Sequence, residues 1–188
     1  MRIVGGKHRG RKLAAPRDER VRPTSDRARQ ALFNILEHGQ FAAGGASPLI
    51  GARVVDLFCG TGAIGLEALS RGAALAIMVD SDAEALDAAR ANVRALGETS
   101  RVMLRQADAT RPGLPPGPCR LAFLDPPYRS ALAGPALVAL AADGWLEPGG
   151  IAVIEIDGRE AFTPPAGFAL VDERRYGRAK LIFLRFGS

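Results

Sequence analysis

The chain has 188 residues, 47% of them hydrophobic, and a formal net charge of +5. That is enough for one α/β domain with a small appendage and a sizeable buried core. No apolar stretch is long enough to span a membrane, and the N-terminus lacks the apolar region of a signal peptide, which excludes a membrane partner.

Taken in order, Arg2-Ile3-Val4 and Lys12-Leu13-Ala14 flank a basic glycine-rich turn, which predicts a β-hairpin. Pro16 to Pro23 is a charged connector. Thr24 or Ser25 can cap a helix from about Asp26 to Glu37, with apolar spacing Ala28, Ala31, Leu32, Ile35 and Leu36. The Gly, Ala, Ser and Pro of 39–51 read as a loop, so the chain divides into an N-terminal hairpin and helix, 1–45, and a main domain, 46–188. Val54 to Phe58 reads as a buried strand, Gly60-Thr61-Gly62 as a tight turn, and Ala63 to Ser70 as a helix. A second strand, Ala74 to Val79, ends in Asp80. Ser81 to Glu84 forms a capping box before a helix that Gly97 stops. Further strands are expected over Arg101 to Ala107, Cys119 to Leu124 and Ile151 to Ile156, the last entered through the turn Pro148-Gly149-Gly150. A helix spans Ala131 to Ala142, and Gly167 to Arg174 with Lys180 to Phe186 form an antiparallel hairpin. Alternating strands and helices imply a parallel Rossmann-like sheet with ligands beyond the carboxyl ends of its strands.

Charge and cysteine usage add two constraints. Residues 1–30 hold ten Arg or Lys against Asp18, Glu19 and Asp26, a net of +7, and 172–188 carry +3, leaving −5 between them. Basic ends around an acidic body point to a polyanionic partner. Cys59 and Cys119 lie in or beside core strands and read as buried packing residues in a reducing cytoplasm. His8 and His38 form no ligand cluster, so no metal is expected.

Gly60, Gly62 and Gly65 spell G-x-G-x-x-G with Asp80 at the expected distance, the fingerprint of an adenosine-bearing cofactor. The fingerprint alone does not separate a nicotinamide dinucleotide from S-adenosylmethionine. Asp56, inside the first strand, can face a cationic methionine end. Asp56, Asp80, Asp108 and Asp125 each fall near the end of a different strand, which argues for one shared site. Asp125-Pro126-Pro127-Tyr128 is the more specific motif. Its prolines fix φ and remove backbone donors, leaving a rigid rim of acceptors. Two acceptors suit the two hydrogens of an exocyclic amine, and Tyr128 offers a face for base stacking worth about 1–3 kcal/mol.

The chain resembles the bacterial 16S ribosomal RNA (guanine-N2) methyltransferase family, within the class I S-adenosylmethionine-dependent enzymes. The resemblance rests on Ile3-Val4-Gly5-Gly6, Arg9 to Leu13, Arg22-Pro23-Thr24, Phe33-Asn34, Asp56 to Gly72 and Asp125 to Tyr128. Cys59 and Thr61 stand where small residues such as Ala and Ser are expected. The resemblance implies a sheet of about seven strands, mostly parallel with a C-terminal antiparallel hairpin. It implies that Asp56 and the Gly60, Thr61 and Gly62 turn face the methionine part of the cofactor, that Asp80 holds the ribose, and that Asp108 and Ala109 hold the adenine, with Phe58 and Ser81 completing the set. Asp125, Pro126 and Tyr128 would hold the target guanine. Lys7, Arg9, Arg11, Lys12 and Arg22 would grip the RNA, or failing them Arg174, Arg175, Arg178 and Lys180. A cytoplasmic monomer acting on 16S RNA, free or within a small-subunit particle, is the expected state. An adenine-N6 or other amino-methyltransferase of RNA or DNA stays open, as do a nicotinamide oxidoreductase and a non-catalytic RNA-binding module.

Overall fold

The computed structural model describes residues 1–14, 26–41 and 45–187. The predicted connector, its helix-capping Thr24 or Ser25, and Arg22 lie outside the described residues. The elements in chain order are α1 (Asp26–His38), β1 (Arg53–Leu57), α2 (Ala63–Ser70), β2 (Leu75–Asp80), α3 (Ala83–Leu96), β3 (Val102–Gln106), β4 (Cys119–Leu124), α4 (Ala133–Ala142), β5 (Leu146–Asp157), β6 (Phe168–Tyr176) and β7 (Ala179–Phe186). They build one seven-stranded sheet in the order β3-β2-β1-β4-β5-β7-β6. The pairs from β3 to β5 are parallel, and β7 runs antiparallel to both β5 and β6. The order reverses between β1 and β4, so the crevice beyond Leu57 and Leu124 is the place for a ligand.

Both faces of the sheet are covered, which is why its strands are nearly continuous apolar runs. On one face α1, α2, α3 and the N-terminal segment pack over Val54, Met78, Leu121, Phe123 and Val153. On the other, α4 and Trp145 pack over Val55, Leu57, Ala122, Leu124 and Ile154. The period of two therefore turns Asp56 inward beneath α2.

Several boundaries differ from expectation for local reasons. The first cap of α3 is Asp82, which accepts the Glu84 N–H at 2.9 Å, and not Ser81. The carboxylate of Asp80 holds the Asp82 N–H at 3.0 Å and so sets the entry to the helix one residue later than the capping box predicts. Gly97, in the left-handed region at φ 72°, closes that helix as expected. Pro148-Gly149-Gly150 does not precede β5 but lies within it, where the pairing with β4 shifts register between Cys119 and Leu121. In α1 the buried face is Ala28, Arg29, Leu32, Phe33 and Leu36, rotated from the predicted stripe. Phe33 sets that rotation by packing on Phe123, with ring centroids 5.6 Å apart, while Arg29 reaches beneath the N-terminal segment.

The predicted N-terminal hairpin reduces to one bridge, Arg2 with Lys12, and a short 3₁₀ turn over Gly6–His8. Its turn does not project. Val4 donates to Glu67, His8 donates its backbone N–H to Ser70 Oγ at 2.9 Å, and the His8 ring meets Glu98 at 2.5 Å. Burial alone would raise the Glu98 acid, but hydrogen bonds from His8 and Arg101 outweigh it and hold it below its usual range. Glycine is required for this docking. A Cβ on Gly6, at φ 70°, would lie 1.9 Å from the Ser70 carbonyl oxygen, and one on Gly5 would strike the Arg71 guanidinium.

Gly10 has a similar φ of 85° but open space around it. Gly10→Ala should therefore cost only the left-handed penalty of about 1–2 kcal/mol, whereas Gly6→Ala should cost clearly more because backbone must move. Urea denaturation of the two variants measures the difference, and equal losses would show that the turn is not seated on α2.

Candidate active site

The site begins at the end of β1. Phe58 turns the chain with φ 62°, a left-handed conformation uncommon for an aromatic residue. Gly60 at φ 52° and Gly62 at φ 76° complete the turn into α2. No heavy atom lies within 4 Å of where a Gly60 side chain would begin, so the turn presents open main chain to the crevice. At Gly65 a Cβ would lie 2.6 Å from Met78 Cε and 3.3 Å from Asp56 Oδ2, so glycine lets α2 close onto the sheet.

Three of the four strand-end aspartates converge on this turn. Asp80 accepts the Gly60 N–H at 2.8 Å and stays half-exposed. Asp125 follows β4 with its N–H directed at Leu57 O, 3.4 Å away, which sets it beside the turn. Asp56 is 1% exposed and accepts the Gly65 N–H at 2.9 Å. Burial drives its acid from 3.8 up to about 8, the Gly65 N–H opposes this, and the Asp125 and Asp80 carboxylates add to it. Its inward position follows from strand parity, so the carboxyl is a neutral prop beneath the helix at neutral pH. Asp108 stands apart. It is exposed, accepts both the N–H and the hydroxyl of Thr110 at 2.8 Å, and is held below the usual range chiefly by the Thr110 N–H. The neighbouring Ala109 is buried. Thr61 is buried, with its carbonyl accepting from Asn92, and Ser81 is exposed, its carbonyl accepting from Gln106.

The rim after β4 is braced by residues the sequence did not single out. Pro126 is buried and Tyr128 half-buried. The Tyr128 hydroxyl donates to Glu155 Oε1 at 3.1 Å. Burial, then the Glu155 charge, push the phenol well above its ordinary range, so it remains a donor. The Arg178 guanidinium sits over the Tyr128 ring, 5.5 Å from its centroid. Arg178 is in turn fixed by Asp157 at 3.0 Å. Glu155 and Asp157 are buried acids at alternate positions of an apolar strand, the same signal that marks Asp56. Of the basic residues near the N-terminus, Lys7, Arg9, Arg11 and Lys12 are exposed, but Lys7 lies 3.7 Å from Glu98 and Arg11 donates to Ala95 O.

Fold and site together define a Rossmann-like α/β protein with a nucleotide-cofactor turn and an acceptor rim at one switch point. The chain belongs to the family described as "Conserved hypothetical protein 95", whose model matches residues 1–185. It is 32% identical to "Ribosomal RNA small subunit methyltransferase D" of Escherichia coli K12 over 179 residues, spanning 95% of this chain and 86% of that one. The protein of the same name from Haemophilus influenzae is 30% identical over 182 residues, spanning 94% and 89%. The solved structure of yhhF from Escherichia coli superposes with a TM-score of 0.82 at 31% identity, covering 100% of this chain and 98% of that one. Among the described residues no helix is long and apolar enough to cross a membrane.

The raised Asp56 acid has a definite pH consequence. Between about pH 4 and pH 8 the unfolded chain loses this proton while the folded chain keeps it, so this contribution to stability falls as pH rises and levels off above 8. Asp56→Asn keeps an acceptor for Gly65 and has no proton to lose. Its stability relative to the parent should improve steadily from pH 4 to 8, measured by denaturant unfolding across that range. A pH-independent difference would show Asp56 to be ionised in the fold.

Proposed function

We propose that the protein transfers a methyl group from S-adenosylmethionine to the exocyclic N2 amine of a guanine in 16S ribosomal RNA, acting as a cytoplasmic monomer. The observation that carries the reading is the seating of the Asp125 to Tyr128 rim directly against the glycine turn, through the Asp125 N–H and Leu57 O. A relative 32% identical over 95% of this chain is named for ribosomal RNA methylation, which supports RNA as the substrate.

The residues present fit the cofactor. The open main chain at Gly60 leaves room for a ligand to approach closely. Asp80, already turned toward that main chain, is the acceptor for a ribose, and Asp108 with Ala109 stands at the next strand end for the adenine. Asp56, with Phe58 and Thr61, lies under the methionine side, and Ser81 lies next to Asp80 on the ribose side. When bound, S-adenosylmethionine supplies a methyl group on a positively charged sulfur.

The rest of the chemistry belongs to the rim. The nitrogen of an exocyclic amine is a poor nucleophile because its lone pair is delocalised into the ring. Asp125 and the carbonyl of Pro126 can accept both N–H groups, drawing the nitrogen toward tetrahedral geometry and freeing the lone pair. This is positioning and electrostatics rather than acid–base catalysis. Tyr128 supports the base, and its hydroxyl, tied to Glu155, fixes the ring plane. A paired guanine must be presented in a loop or flipped, at a cost of a few kcal/mol that stacking offsets.

Asp125→Ala should lower turnover by about 10²–10³-fold, the loss typical of one preorganised hydrogen-bonding group, while S-adenosylhomocysteine affinity by calorimetry stays nearly unchanged. The reaction itself is tested with labelled S-adenosylmethionine and small-subunit RNA from cells lacking the gene, followed by nucleoside analysis. Label in N2-methylguanosine is expected. Label in N6-methyladenosine, or in DNA alone, would refute the guanine assignment.

A further inference from the structure

Beside the rim lies a cavity of about 590 Å³ lined by Arg129, Asp157, Gly158, Arg159, Arg175, Gly177 and Arg178. Four guanidiniums surround one carboxylate. We infer that this cleft binds a backbone phosphate of the RNA next to the base held at Tyr128, an inference that rests on the proposed nucleic-acid substrate.

The cleft is built rather than incidental. Asp157, buried at the end of β5, accepts the Arg159 N–H at 3.0 Å and the Arg178 Nε at 3.0 Å, with Arg129 Nε 4.0 Å away. Those bonds and the Arg178 charge keep it ionised. One carboxylate thus aims two arginines while most of each stays in solvent. The Arg129 and Arg178 side chains are 66% and 55% exposed. Arg159 and Arg175 are exposed as well. The Glu160 carboxylate stands near the rim, where it accepts the Arg129 N–H at 3.3 Å, so the surplus remains positive.

Two features join the cleft to the rim. Arg178 lies over the Tyr128 ring on one side and lines the cleft on the other. Arg129 follows Tyr128 immediately, with φ 62°, a strained conformation for a side chain-bearing residue. That strain is retained where a short connection must send Tyr128 toward the base and Arg129 toward the cleft. Guanidinium forks pair with phosphate oxygens two at a time, which suits a phosphodiester better than a diffuse attraction. The other C-terminal cations are engaged elsewhere. Arg174 is held by Asp172 at 3.0 Å, and Lys180 is buried with its ammonium on the Glu160 carbonyl.

The test uses Arg159→Ala/Arg175→Ala, which leaves Asp157, Arg178 and Tyr128 in place. Binding of a fluorescent small-subunit RNA fragment is measured by anisotropy from 50 to 200 mM salt. Each lost phosphate contact removes about 0.7–0.9 from the logarithmic salt slope. The double variant should therefore lose about 1.4–1.8, so that its affinity falls roughly tenfold less across that range. The lysine pair, Arg159→Lys/Arg175→Lys, should restore most of the slope. S-adenosylhomocysteine affinity and thermal unfolding should not move. An unaltered slope overturns the inference, even if guanine methylation is established. A reduced slope with no methylated guanine sustains the cleft and refutes the reaction. Stabilisation by inorganic phosphate with an unaltered RNA slope would mark a small-anion site and also overturn the inference.

Discussion

One buried carboxylate, Glu67, holds the architecture around the site together. It is 0% exposed on α2, accepts the Val4 N–H at 2.8 Å and the Arg71 Nε at 2.7 Å, and lies 3.8 Å from Arg29 Nε. Arg71 continues to Glu37 of α1, and Arg29 to the Arg2 carbonyl and Asp26. A charge so far from water is tolerated only when fully partnered, since removing one member of such a set typically costs about 3–5 kcal/mol. The partners come from the N-terminal segment, α1 and α2. The same α2 begins at the glycine turn. The network that seats the N-terminal segment therefore also fixes the helix whose first residues form the cofactor cradle.

Beneath that helix the sheet places a second constraint, charge of one sign. Asp56, Asp80 and Asp125 gather at the ends of three adjacent strands. The structure distributes them by burial. Asp80 and Asp125 stay at the surface of the crevice, and Asp56 retreats under Gly65 and keeps its proton. A cationic ligand in the crevice relieves the repulsion, whereas an anionic one aggravates it. That asymmetry favours the sulfonium cofactor over a dinucleotide, whose pyrophosphate would meet the same carboxylates.

The strands and α2, α3 and α4 were legible because their apolar runs and glycine stops are local. Cys119–Leu124 and Ala63–Ser70 agree with expectation residue for residue. The glycine turn and the rim were legible for the same reason. The brace of the rim was not, because Tyr128 and Glu155 are brought together only by the pairing of β4 with β5. Nor could spacing show that the basic turn at Gly6–His8 folds back onto α2, since that depends on a missing Cβ and a carbonyl sixty-odd residues away. The face of α1 was misjudged by a pattern that counts only apolar residues, because Arg29 is buried there by its partners.

The place of β7 has a consequence for the order of assembly. It follows β6 in the chain but lies between β5 and β6 in the sheet. During synthesis β6 emerges with no edge to join, since its only neighbour has not been made. The register that fixes Glu155 opposite Leu181 is likewise unavailable until β7 arrives. The cofactor half, β1 to β4, can pair as it leaves the ribosome. The brace beneath Tyr128 and the arginine turn at Gly177–Arg178 must wait for Ala179–Phe186. A nascent or truncated chain could thus carry the nucleotide half of the site without a working grip on the base, which keeps chemistry from preceding completion of the fold.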